Sequence, residues 1–170
     1  MHIPDGFLSP TVAIATGIAS AAVIAVAMNQ TRQSLGLRQA PVMGLTTAFV
    51  FAAQMINFPV AGGTSGHLLG GALASVVLGN PWAATLAMST VFIIQSVLFA
   101  DGGITALGAN IFNMGIVGIW VGWWLLQPLQ RLLGGSRNRL PLAGGIAAAL
   151  SVVAASICCT IALALSGTVA

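Results

Sequence analysis

Lysine, tyrosine and glutamate are absent from this 170-residue chain, and its formal charges are confined to Asp5, Asp101, Arg32, Arg38, Arg131, Arg137 and Arg139. Without lysine there is no P-loop, so the chain is not the ATP-hydrolysing part of anything. Charged residues make up 4% of the sequence, against roughly 25% in soluble domains, and that excludes an ordinary soluble fold. No charge interrupts a long apolar segment, and without an intramembrane carboxylate a proton-coupled carrier is disfavoured. The two cysteines, Cys158 and Cys159, are neighbours in an apolar stretch and leave a helix in different directions; they make neither a disulfide nor a metal pair. What is present is apolar: 58% hydrophobic residues with a mean hydropathy of +1.02 describe an integral membrane protein. The sequence pI of about 10.3 reflects its loops and implies no nucleic-acid partner.

Crossing about 30 Å of hydrocarbon takes roughly 20 helical residues, and apolar segments of that order cover 9–29, 41–58, 60–78, 82–100, 109–129 and 141–165. The expected fold class is all-α, a polytopic transmembrane helical bundle of about six or seven spans, with residues 1–170 as one domain. All the arginines fall in the connections 30–40 and 130–140. These lie an even number of spans apart, so they share one side, which the positive-inside rule makes cytoplasmic. The amino terminus is then outside, in the same compartment as His67 and Asp101, and the lipid setting is the plasma membrane. A cleaved signal peptide would carry its positive charge ahead of the first apolar run, whereas here it follows. Small residues recur every fourth position at Ala13, Gly17, Ala21 and Ala25, at Gly66, Gly70 and Ala74, and at Ala143, Ala147, Ser151 and Ala155. That spacing lets helix backbones approach closely in lipid, within the bundle or against another subunit.

The third segment opens with Gly62, Gly63 and Gly66 and reads as helix only from about Ser65 onward; counted from His67 it is too short to span. Irregular backbone at membrane depth is tolerated where it lines a cavity, and broken helices at such cavities hold substrate. His67 is therefore expected inside the bundle, below the outer surface. A buried ring hydrogen-bonded to Ser65 or Asn57 is the structural explanation of that histidine; His2 favours a chemical one. Initiator methionine is trimmed efficiently only ahead of a small residue, so Met1 should persist with a free amine. Its amine and the His2 amide nitrogen close a five-membered ring on a metal ion, and that amide with His2 Nδ1 closes a six-membered ring. The amide must lose its proton, which ions content with planar nitrogen, Ni(II) and Cu(II), promote best. His67 is the only other histidine and the natural fourth ligand. With no carboxylate near it in sequence and no usable cysteine pair, tetrahedral zinc and oxygen-rich calcium or magnesium sites are disfavoured.

Around these ligands, Asp5 could accept a ligand N–H or simply precede a helix capped by Ser9 with Pro10 in its first turn, and Pro4 and Gly6 favour a turn. Asp101, Thr105, Asn110 and Asn113 in the fourth connection, with Gln54 and Gln95 in the second and fourth segments, need polar partners at depth. Interhelical hydrogen bonds account for most of them. Asp5, Ser65, Asp101 and Asn110 are the candidates for supporting the metal ligands.

The motifs "MHIPDGFL", "GGTSGHLLGG" and "FADGGITALGANIFNMG" resemble those of the nickel and cobalt substrate-binding (S) components, NikM and CbiM, of energy-coupling-factor transporters. The resemblance runs from Met1 to about Gly118. It implies a multi-pass membrane protein that captures Ni(II), or Co(II) as the alternative, from outside. Delivery would follow reorientation against a transmembrane coupling (T) subunit driven by a pair of ATPase subunits. The family's ligands fall on Met1, His2 and His67, with residues 1–8 as the metal-binding segment. Members usually continue through a further carboxy-terminal helix, whereas this sequence stops at "LSGTVA". Nickel is favoured over cobalt by the planar all-nitrogen arrangement and by the closer match to the nickel branch.

Two rival readings come from other classes. Gly63-Thr64-Ser65-Gly66 fits the GxSG pattern of rhomboid-like intramembrane serine proteases, but no histidine is placed on another helix to take the Ser65 proton, so an enzyme is not expected. A non-binding assembly subunit would explain the small-residue stripes and leave the pairing of His2 with His67 accidental.

Overall fold

The computed structural model describes residues 1–34, 36, 39–59 and 65–168, with Ser65 described through its backbone alone. Among these residues the chain forms helices α1 (Pro10–Ser34), α2 (Gln39–Gln54), α3 (Gly71–Leu78), α4 (Pro81–Leu98), α5 (Leu107–Leu132) and α6 (Leu140–Leu165). Short strands β1 (Phe58–Pro59) and β2 (Ser65–Gly66) pair antiparallel between α2 and α3. The protein is an all-α membrane protein, and four of its helices, α1, α4, α5 and α6 with the 3₁₀ turn leading into it, are long and apolar enough to cross a membrane. The expected second and third spans are shorter, 16 residues in α2 and 8 in α3.

Backbone geometry explains the short third helix. Gly70 has φ 79°, a left-handed conformation that cannot propagate a helix, and a Cβ there would stand 2.5 Å from Val50 Cγ1. Helical residues therefore begin at Gly71, not near Ser65 as the sequence suggested, and the chain before them pairs with β1. At the other end Gly79 is also left-handed. Asn80 then caps α4 by accepting from the amides of Trp82 and Ala83, and Pro81 occupies its first turn. The first helix runs through Arg32 to Ser34, beyond the expected end at Asn29, because no breaker precedes Gly36 and Ser34 Oγ donates back to the Gln30 carbonyl. The fifth helix opens with one α-turn, widens to a π-helix over Ile111–Val117 and returns to α-helix at Gly118.

Val50, Leu69, Met88, Phe92, Met114 and Ile119 form the main core where α2, α3, α4 and α5 meet. Small residues set the close approaches. A Cβ on Gly108 would strike the backbone of Gly17, and Ser20 Oγ donates to the Gly108 carbonyl at 2.7 Å, locking α1 to α5. The stripe Ala143, Ala147, Ser151 and Ala155 of α6 is buried, while Ala21 and Ala25 of α1 stay exposed.

Candidate metal centre

The amino-terminal tail is folded into the bundle by contacts reaching across a hundred residues. A turn at Asp5 and Gly6 (φ 82°) bends it inward. Asn110 clasps the tail's backbone: Ile3 N donates to Asn110 Oδ1 at 2.8 Å, and Asn110 Nδ2 donates to the Ile3 carbonyl at 3.1 Å. Gly103 N donates to the same carbonyl at 2.9 Å. A side chain at position 103 would collide with Pro4 and Asp5, so only glycine lets the two backbones meet. The Ile3 side chain is fully buried among Ala106, Ala109, Cys159 and Leu163. Asp5 accepts from the Thr105 amide at 2.7 Å and from its hydroxyl, and both hold its carboxyl below the usual carboxylate range. Met1 Sδ accepts from Ser156 Oγ of α6 at 3.0 Å.

This docking brings three nitrogen-bearing groups together. The Met1 amine lies 2.9 Å from His67 Nε2. His67 Nδ1 lies 2.8 Å from the Leu68 carbonyl; a carbonyl only accepts, so Nδ1 carries the proton and Nε2 turns its lone pair toward the amine. The His2 ring, 4% exposed, stacks on His67 with centroids 4.6 Å apart and planes 20° apart, and meets Phe92 edge-on at 5.7 Å. His2 Nδ1 is 3.3 Å from Asp101 Oδ1, short of full hydrogen-bond geometry, so neither ring nitrogen has a hydrogen-bonded partner. Burial lowers the Met1 amine from 8.0 to about 6, partly offset by Cys159 and Asp101, which favours its uncharged form. The His2 ring in turn holds the Asp101 carboxyl below its ordinary range against the opposing effect of burial, and Asn57 Nδ2 approaches its other oxygen at 3.5 Å.

Two nitrogens bound at right angles to one ion, each about 2.0 Å away, stand about 2.8 Å apart, close to the amine-to-imidazole distance here. Among the described residues no three His, Cys, Asp or Glu side chains converge as a cage.

The structure brings Met1, His2, His67, Asp101 and Asn110 together. Two roles were open to Asp5, acceptor of a ligand N–H or helix-start residue; its carboxylate faces Thr105, which fixes the turn of the tail. Asn57 faces Asp101 instead of His67. The Ser65 side chain and Gly62, Gly63 and Thr64 lie outside the described residues. Sequence reasoning missed Phe92, Gly103, Ser156 and Cys159. Only Gly103 carried a usable signal, a second consecutive glycine after Asp101; the others are ordinary apolar or small residues of helices.

The family profile described as the cobalt uptake substrate-specific transmembrane region matches residues 2–170. A fused nickel transport protein, NikMN, of Rhodobacter capsulatus is 42% identical over 145 residues, 85% of this chain and 42% of that protein. A cobalt transport protein, CbiM, of Streptomyces coelicolor is 36% identical over 135 residues, 76% of this chain and 57% of that protein. The chain thus spans about half the length of these relatives. The crystal structure of a truncated transition metal transporter superposes with a TM-score of 0.89 at 36% identity, covering 96% of this chain and 74% of that one.

Proposed function

The chain belongs to the family of the cobalt uptake substrate-specific transmembrane region, and from that premise we propose that it captures Ni(II), or Co(II), from outside the cell in a planar four-nitrogen site. The ligands are the Met1 amine, the deprotonated His2 amide, His2 Nδ1 and His67 Nε2. The observation that carries this is the Met1 amine 2.9 Å from His67 Nε2 beside a buried His2 ring with unpartnered nitrogens. In ring order the amide sits between the amine and Nδ1, so the fourth corner lies next to the amine, which is where His67 stands. Loading draws Nδ1 away from Asp101, whose carboxylate stays beside the ion. The divalent charge is then balanced by one amide anion and one carboxylate, a neutral assembly suited to a low-dielectric setting. Planar nitrogen favours nickel over cobalt, and relatives carry the names of both metals.

In this reading the chain is the multi-pass plasma-membrane S component of an energy-coupling-factor importer, with its amino terminus outside. The shorter α2 and α3 cross together with the four long helices as parts of six or seven spans. A T subunit and two ATPase subunits drive release, and the exposed Ala21 and Ala25 of α1 offer a close-packing face for such a partner. Calorimetric titration of Ni(II) and Co(II) into the purified chain with its native terminus tests the proposal. One ion per chain with nickel tighter is expected; no binding of either would leave an assembly subunit.

A further inference from the structure

The arginine-bearing end of the bundle carries a second feature, a lateral groove of about 440 Å³ lined by apolar side chains, among them Val23 of α1, Trp82 of α4, and Ile116, Trp120, Val121 and Trp124 of α5. Three of the chain's four tryptophans meet in it. Trp82 and Trp120 pack edge to face with centroids 4.5 Å apart, Trp120 and Trp124 lie 5.7 Å apart, and Trp124 is 67% exposed. Among the described residues nothing accepts a hydrogen bond from these three indoles.

Helix geometry ties the groove to a charge. At about 100° per residue, Arg131 falls within about 20° of both Trp120 and Trp124 on α5 and stands about 10 Å beyond Trp124 along the axis. Trp82 in the first turn of α4 packs against Trp120 of α5, so the last turns of α5, residues 125–132, continue beyond that contact. Along α5 the order from mid-helix outward is Trp120, Trp124 and then Arg131, an apolar aromatic stretch followed by a guanidinium at the helix end, as membrane interfaces favour. Arg131, Arg137 and Arg139 share this exposed end, and Arg139 Nη1 donates to the Leu133 carbonyl, closing the connection between α5 and α6. The chain's only side-chain carboxylates, Asp5 and Asp101, lie at the far end with the amino-terminal tail, so among the described residues these guanidinium groups form no ion pair.

We propose that this groove holds one anionic phospholipid, with an acyl chain against Trp82, Trp120 and Trp124 and its phosphate on Arg131. The apolar lining selects a lipid tail over a free phosphate ion, and Arg131 at the mouth selects an anionic headgroup over a zwitterionic one.

Brominated lipids quench tryptophan on contact and report occupancy of the groove. The full chain is placed in phosphatidylcholine vesicles containing a small fraction of dibrominated phosphatidylglycerol or dibrominated phosphatidylcholine. Brominated phosphatidylglycerol should quench at a mole fraction lower by about fivefold, the preference one interfacial arginine confers, and about 1 M salt should erase the difference. Arg131→Gln should abolish the preference, Trp124→Phe should reduce the phosphatidylglycerol-specific quenching, and Arg32→Gln, on another helix, should leave it intact. Nickel titration of the Arg131→Gln chain verifies its fold. Equal quenching by the two lipids, as expected if an acidic partner helix is the true occupant, would overturn the proposal. So would a preference that survives Arg131→Gln or vanishes with Arg32→Gln, which would mean diffuse surface charge and no site.

Discussion

One glycine placed ahead of Met1 should make His67 dispensable. In the native chain the leading two residues supply three nitrogens, and His67 fills the corner beside the amine, 2.9 Å away. With the added glycine, its own amine, the Met1 amide, the His2 amide and His2 Nδ1 close two five-membered rings and one six-membered ring around a single ion. The new residue enters the place where the imidazole now stands, and the plane is complete without it. Four-ligand structural metal sites release about 10–16 kcal/mol, or about 3 kcal/mol per ligand. His67→Ala should then weaken Ni(II) binding about a hundredfold in the native chain and by less than about threefold in the extended one, a coupling of about 2–3 kcal/mol between terminus and imidazole. Calorimetry on the four proteins measures both effects, and the visible absorption of planar nickel should persist in the extended pair. An equal penalty for His67→Ala in both backgrounds would mean that the amine and His67 do not share an ion. A silent His67→Ala in the native chain would remove His67 from the site.

Two further outcomes follow from the docked tail. Nickel binding expels the His2 amide proton at every pH, so affinity should fall about tenfold per pH unit on acidification. Because burial holds the Met1 amine at about 6 instead of 8.0, the amine's own proton adds to the slope only below about pH 6; titrations between about pH 5.5 and 9 read that contribution, and a steepening that sets in near 8 would mean a solvated amine. Asn110→Ala leaves the buried Ile3 amide without its acceptor, a penalty of about 1–3 kcal/mol on the docked tail. It should weaken nickel binding by up to about a hundredfold while circular dichroism keeps its helical content, and unchanged affinity would show that the tail docks without Asn110.

The membrane character and the helical segments were legible because lipid imposes length and apolarity on whole stretches of chain, and five arginines in two loops interrupt none of them. Boundaries were less legible where backbone conformation decides. Whether the third helix starts at Ser65 or Gly71 turns on the left-handed Gly70 and its approach to Val50, and the π-helical stretch Ile111–Val117 left no mark in the residue types. That Met1, His2 and His67 come together was legible because nitrogen donors are scarce in this chain. The contact that Asp5 makes was not legible because its partner, Thr105, lies a hundred residues away and offers only a generic hydroxyl and amide.

The groups that fix the tail come mostly from one short stretch, and this bears on how such a site can exist on a chain terminus. Asp101 faces the His2 ring, Gly103 and Asn110 hold the Ile3 peptide, and Thr105 holds Asp5. All four lie in the connection entering α5 or in that helix's first turn, and α5 is locked to α1 through Gly17, Ser20 and Gly108. The tail runs into α1 at Pro10, so both ends of residues 1–9 are tied to one rigid helix pair, and the ordering entropy of those residues is met mainly by the folding of the pair. A terminal amine, ordinarily among the most mobile groups of a chain, is thereby brought to hydrogen-bond distance of an imidazole from a third element.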